Sequence, residues 1–135
     1  MPTLLALTLN SSTANLGAIT PGVAQNYDAS VAAVVTSTAG NATLSASDPG
    51  DGSGRLTNGS IKFASPLQVK ATNAGNQGTA FAPLSGNPVT LLTWPKEISN
   101  DPVTISVRQP VSATEPLLAG GYTKTITFTL STTQP

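Results

Sequence analysis

Cysteine and histidine are absent from the 135 residues. Without thiols there is no disulfide framework, no thiolate nucleophile and no structural zinc site of the usual kind. Without imidazole there is no general base of the commonest type and no nitrogen ligand for a metal. Serines abound, but no histidine activates them and no Ser-x-x-Lys pair occurs, which excludes the familiar routes of serine hydrolysis. Charge is scarce too: six Lys plus Arg and six Asp plus Glu make 9% of the chain and a net charge of zero, where about 25% is ordinary for a soluble domain. So few cations argue against nucleic acid or an anionic lipid surface as a partner. No stretch approaches the roughly 18 apolar residues of a membrane span, so membrane insertion is not expected.

Hydroxyl groups take the place of charge, since the chain holds 20 Thr and 14 Ser beside 12 Gly, 11 Pro and 39% hydrophobic residues. Such a composition is neither a charged disordered tail nor a low-complexity segment. Its length predicts a single domain over residues 1–135 with one core. The opening Leu4-Leu5-Ala6-Leu7 is apolar but lacks a basic leader and is too short for a secretory signal. The composition nevertheless looks extracellular. The expectation is a secreted or cell-surface protein whose signal peptide is not in this chain, with Met1 added at a mature end.

No segment carries a helical period, and Gly, Pro, Asn and Asp punctuate the chain about every ten residues. The clearest strand is the last. From Tyr122 to Leu130 the even positions are Tyr122, Lys124, Ile126, Phe128 and Leu130, and the odd positions are all Thr. That is period two, with one face buried and one hydroxylated. Val103, Ile105 and Val107 define another strand, started by Pro102 and stopped by Pro110. Further strands are predicted at 4–9, 27–38, 41–47, 60–63, 67–71 and 88–94, with a brief edge at 16–19. In 88–94, Val89, Leu91 and Thr93 should face one way and Thr90, Leu92 and Trp94 the other. Loops are expected at 48–54 and 72–86. Seven to nine strands at this spacing predict an all-β fold, an antiparallel immunoglobulin-like β-sandwich.

Two segments carry a resemblance. Leu118-Ala119-Gly120-Gly121-Tyr122, followed by alternating Thr and apolar residues to Leu130, resembles the closing strand of secreted bacterial immunoglobulin-like sandwiches. These include pilin-like and spore-coat-like subunits and WxL-type cell-wall domains. Leu16-Gly17-Ala18-Ile19-Thr20-Pro21-Gly22, with Tyr27 and a Val/Ala/Thr strand after it, resembles their opening edge. The run Ser37 to Asp48 is similar to secreted actinobacterial proteins. The resemblance implies an exported sandwich. The Trp-x-Leu signature of wall anchoring is missing, because Trp94 is followed by Pro95-Lys96.

Few constellations carry chemistry. Asp48 and Asp51, in the Gly-rich run Asp48-Pro49-Gly50-Asp51-Gly52-Ser53-Gly54, are candidate calcium ligands; the competing reading is a surface turn. Glu97 and Asp101 are the other clustered acids. A glycosidase needs two carboxylates facing across a sugar, and loop carboxylates before a strand are the simpler reading. Trp94 and Phe81 are the candidate exposed rings for glycan contact, against the reading of Trp94 as a core or rim filler. Lys62, Lys70 and Lys124 lie in predicted strands, where a lysine–asparagine isopeptide link is conceivable, but spacing singles out no partner and acid.

The ends of the chain suggest assembly. Leu5, Leu7 and Leu9 form an apolar terminal strand able to pair within its own sandwich or to complete a neighbour's. The expectation is a non-catalytic, cofactor-free structural protein that self-associates, as a subunit of a surface fibre or pilus-like filament built by β-strand exchange. The alternative is a polysaccharide-binding or adhesion module.

Overall fold

The computed structural model describes residues 2–11, 13–17, 19–20, 22–50, 52–58, 61–73, 80–114 and 121–134. Among them there is no helix. The strands are β1 (Leu5–Leu9), β2 (Gln25–Ser37), β3 (Ala42–Ser47), β4 (Thr57–Asn58), β5 (Ile61–Lys62), β6 (Gln68–Asn73), β7 (Ala82–Pro83), β8 (Val89–Trp94), β9 (Ile98–Val111) and β10 (Thr127–Ser131). Five form a sheet in the order β1-β2-β9-β6-β7 and three form a second in the order β10-β3-β8, while β4 and β5 make a short ladder. Every pairing is antiparallel. The chain is therefore all-β with antiparallel sheets, as alternation and turn spacing predict.

Period two decides which side chains meet. Ala42, Leu44 and Ala46 of β3, Val69 and Ala71 of β6, and Val103, Ile105 and Val107 of β9 are all buried. With Val35, Phe63, Leu84 and Leu91 they make one core cluster fed by both main sheets. Complete burial contributes roughly 1.5–3 kcal/mol for each large apolar side chain, so Phe63, Leu44, Leu84, Leu91 and Ile105 carry much of the cohesion.

Four expectations change in the structure. The strand bounded at Pro102 and Pro110 instead runs 14 residues, Ile98–Val111, through both prolines. β2 flanks β9 over nearly its whole length, whereas β6 pairs only from Val103 to Arg108. Pro102 and Pro110 lie beyond that stretch, where among the described residues no strand pairs with β9 on the β6 side, so a missing N–H breaks no ladder bond there.

In β8 the alternation breaks: Leu91 and Leu92 are both buried, and Thr90 and Thr93 are both exposed. The register against β3 shifts between Leu44 and Ser45, and that irregularity turns two consecutive side chains inward. The last strand is shorter than predicted. Only Thr127–Ser131 pairs with β3, while Tyr122 to Ile126 run without a ladder apart from a bridge between Thr57 and Thr123. Finally, the described residues between 13 and 20 form no strand; Ala18 lies outside the described residues, as do Pro21, 74–79 of the expected 72–86 loop and the 118–120 turn. β4 and β7, two residues each, are too short for any pattern to announce.

Candidate functional site

Asp48 is a buried carboxylate held by three partners. It continues the inward row Ala42, Leu44, Ala46 beyond the end of β3, so period two alone puts a carboxylate in the core. Oδ1 accepts the Gly50 N–H at 2.9 Å and Oδ2 accepts the Gly54 N–H at 3.0 Å. Lys124 Nζ lies 3.0 Å from Oδ2, and the two side chains are 7% and 0% exposed. Burial, the largest single influence, pushes the Asp48 pKa up, but the Gly54 and Gly50 N–H groups and Lys124 together outweigh it and hold it below its ordinary value. Gly54 is indispensable to this geometry: its φ is 68°, and a Cβ there would overlap the Leu84 carbonyl oxygen.

The expected calcium pair is thus seen in half. Asp51 lies outside the described residues, and the Asp48 carboxylate is already engaged by two amides and an ammonium. No cluster of three acids that would hold a metal exists among the described residues.

Spacing overlooked the Asp48–Lys124 pair, although a signal was present. Lys124 falls on the apolar row of the last strand, between Tyr122 and Ile126, and a cation on a buried face requires a counter-charge. The β3–β10 register pairs Ser47 with Thr127. Carried one step further it sets Asp48 opposite Ile126, which makes Lys124 the diagonal neighbour of Asp48.

Trp94 and Phe81 are not brought together. Trp94, at the end of β8, is in the core at 4% exposure, and its indole Nε1 donates to Asp101 Oδ2 at 2.8 Å. Asp101 belongs to the inward row of β9 with Val103 and Ile105. Ahead of it Asn100, at φ 52°, sits where the β2–β9 register shifts. The bond joins one main sheet to the other. It also separates the two clustered acids, since Asp101 is buried and Glu97 is exposed.

Phe81 is half-buried, just ahead of β7, with Lys70 Nζ 4.8 Å and Arg108 Cζ 4.3 Å from its ring centre. Arg108 is tied in turn to Asp28, with Nε to Oδ1 at 2.8 Å and the second guanidinium nitrogen to Oδ2 at 3.1 Å. The Arg108 hydrogen bond holds the Asp28 carboxyl below its ordinary pKa, and Asp28 holds the guanidinium above its own. The ring's π face is thus occupied by the protein's own cations.

The assembly residues lie at one side of the molecule. Leu5 and Leu7 are half-buried against the core, and Leu9 is 38% exposed. Among the described residues β1 is an edge strand paired with β2 alone, from Leu5 opposite Ser37 to Leu9 opposite Ala33. β10 is likewise the edge of its sheet, and the two edges touch. Between them a cleft of about 120 Å³ is lined by Leu9, Val31, Ile105, Val107, Ile126 and Phe128, among others. Phe128, which lines it, is therefore only half-buried, and so is Leu130, although alternation places both on the core face. The outward side of this sheet is hydroxylated throughout: Thr127, Thr129 and Ser131 align with Ser47, Ser45 and Thr43. No family model matches the chain, and no curated protein matches it.

Proposed function

We propose that the chain is a non-catalytic structural module of the cell surface or of a secreted assembly, an immunoglobulin-like sandwich that joins copies of itself by β-strand exchange. The observation that carries this reading is the pair of edge strands, β1 and β10, meeting across an apolar cleft. β1 is held by its ladder to β2 and by bonds at its two ends: Leu4 N to Thr38 Oγ1 at 2.7 Å, Thr38 N to Leu4 O at 2.9 Å, and Asn10 N to Ala32 O at 3.0 Å. A second copy offers the same partners. Exchange therefore requires no new kind of contact, only a connection long enough to let β1 leave. Residues 10–24 provide it, with Gly17 and Gly22 at φ 82° and 81° and open space around both. Scarce charge leaves little repulsion between approaching copies.

Light scattering and negative-stain imaging over a concentration series test the proposal. The intact protein should form dimers or filaments at high concentration, and removal of residues 1–10 should stop their growth. Monodisperse monomers at every concentration, unaltered by that deletion, would sink it. The rival polysaccharide-binding reading loses the Trp94 ring to the core and rests on Phe81; glycan-array binding abolished by Phe81→Ala would favour it.

A further inference from the structure

The fold encloses a primary amine and a carboxyl group together, and strand exchange uses neither. We propose that Lys124 and Asp48 condense within the folded chain to an amide between Nζ and Cγ, releasing one water. The geometry holds the two reacting groups in contact. Nζ touches Oδ2 at 3.0 Å, and the side chains are 7% and 0% exposed, so the product water leaves a site that bulk water does not reach. The Gly50 N–H on Oδ1 and the Gly54 N–H on Oδ2 fix both carboxyl oxygens. Gly54 itself lies too close to the Leu84 carbonyl to admit a Cβ. Reactants held in this way behave as if at very high concentration.

The pair rests ionised, so the reaction begins with transfer of one proton from Nζ to Oδ2 along their contact. The freed Nζ lone pair then attacks Cγ, and the carbonyl electron pair moves onto Oδ1, which the Gly50 N–H stabilises as charge develops. When that pair returns, the bond from Cγ to Oδ2 breaks. Oδ2 takes a second proton from Nζ and departs as water. One C–N bond has replaced one C–O bond, with no oxidant, reductant or further reactant. Two buried charges become one neutral amide, which removes the desolvation cost of the ion pair. Because the N–H groups favour the carboxylate, the first proton transfer is the uphill step, and the link accumulates slowly after folding. It ties the end of β3 to the segment leading into β10.

Intact-mass spectrometry of the native full chain, followed over days at neutral pH, tests this. The expected result is a mass lower than the sequence mass by one water, with a proteolytic fragment in which the peptides bearing Asp48 and Lys124 are joined. The Asp51–Gly52 dipeptide can also lose water by closing to a succinimide. That loss would persist in Lys124→Arg and reverse in mild base, whereas the amide would be absent from Lys124→Arg. The joined fragment decides the matter even where that variant fails to fold. Wild-type protein that keeps its full sequence mass, or a water loss that survives in Lys124→Arg, overturns the proposal.

Discussion

Breaking the hydrogen bond between Trp94 and Asp101 tests how the two main sheets are held together. The indole donates at 2.8 Å, and the residues are 4% and 7% exposed. A hydrogen bond to a charged acceptor contributes about 1.5–3 kcal/mol, and a buried group left without its partner loses a similar amount. Trp94→Phe removes the donor and leaves a small void, which adds roughly 1 kcal/mol. The expected loss is about 2–4 kcal/mol, out of a total near 5–15 kcal/mol for a domain, so the variant stays folded. With a urea slope of about 1–3 kcal/mol per molar, the midpoint should fall by on the order of 1–2 M. Asp101→Asn keeps an acceptor oxygen and should cost less than Asp101→Ala. Far-UV circular dichroism is the suitable signal, because Trp94 is the one tryptophan of the chain. Combining Trp94→Phe with Asp101→Ala should show a coupling of about 1.5–3 kcal/mol. A coupling below about 0.5 kcal/mol would refute the idea that this bond joins the sheets. The same reasoning means that Trp94→Ala perturbs the core, so lost glycan binding in that variant would say nothing about a binding ring.

Gly54→Ala should destabilise by about 2–5 kcal/mol, since it combines a left-handed backbone with overlap on Leu84; chemical denaturation reads this, and a near-neutral result would contradict the loop geometry. Before any condensation, Asp48 contributes stability above its unfolded-state pKa near 3.8 that is lost as the pH falls through its lower folded value. The midpoint of denaturation should therefore drop below about pH 4, and a condensed chain or Asp48→Asn should lack that part of the acid limb. An acid limb identical in the uncondensed wild type and Asp48→Asn would refute the assignment.

Much of this fold is legible before any coordinates. Thr alternating with Ile, Phe and Leu at the end of the chain, and Val alternating with Thr and Ser around Ile105, announce strands because a pleated backbone sends neighbours to opposite faces. The same rule names most of the core, including Leu44, Val69 and Val103. It fails at β8, where a register shift turns Leu91 and Leu92 both inward, and at Pro102 and Pro110, where the extent of a neighbouring strand decides what a proline disrupts. Lys124 on an apolar row signalled a buried counter-charge, and period two puts both Asp48 and Asp101 on inward rows, but only the β3–β10 register chooses Asp48.

The all-β class, the exclusion of thiol and imidazole chemistry, the hydroxylated outer faces and the rows that turn inward are all written in the linear chain. These follow from composition and from a period that each strand carries alone. That Asp48 meets Lys124, that Trp94 is spent on Asp101 inside the core rather than at a surface, and that β1 and β10 lie side by side emerge only when the sheets pack. Those are properties of strand order and register, set by the packing of distant segments against one another, and no local stretch of chain encodes them.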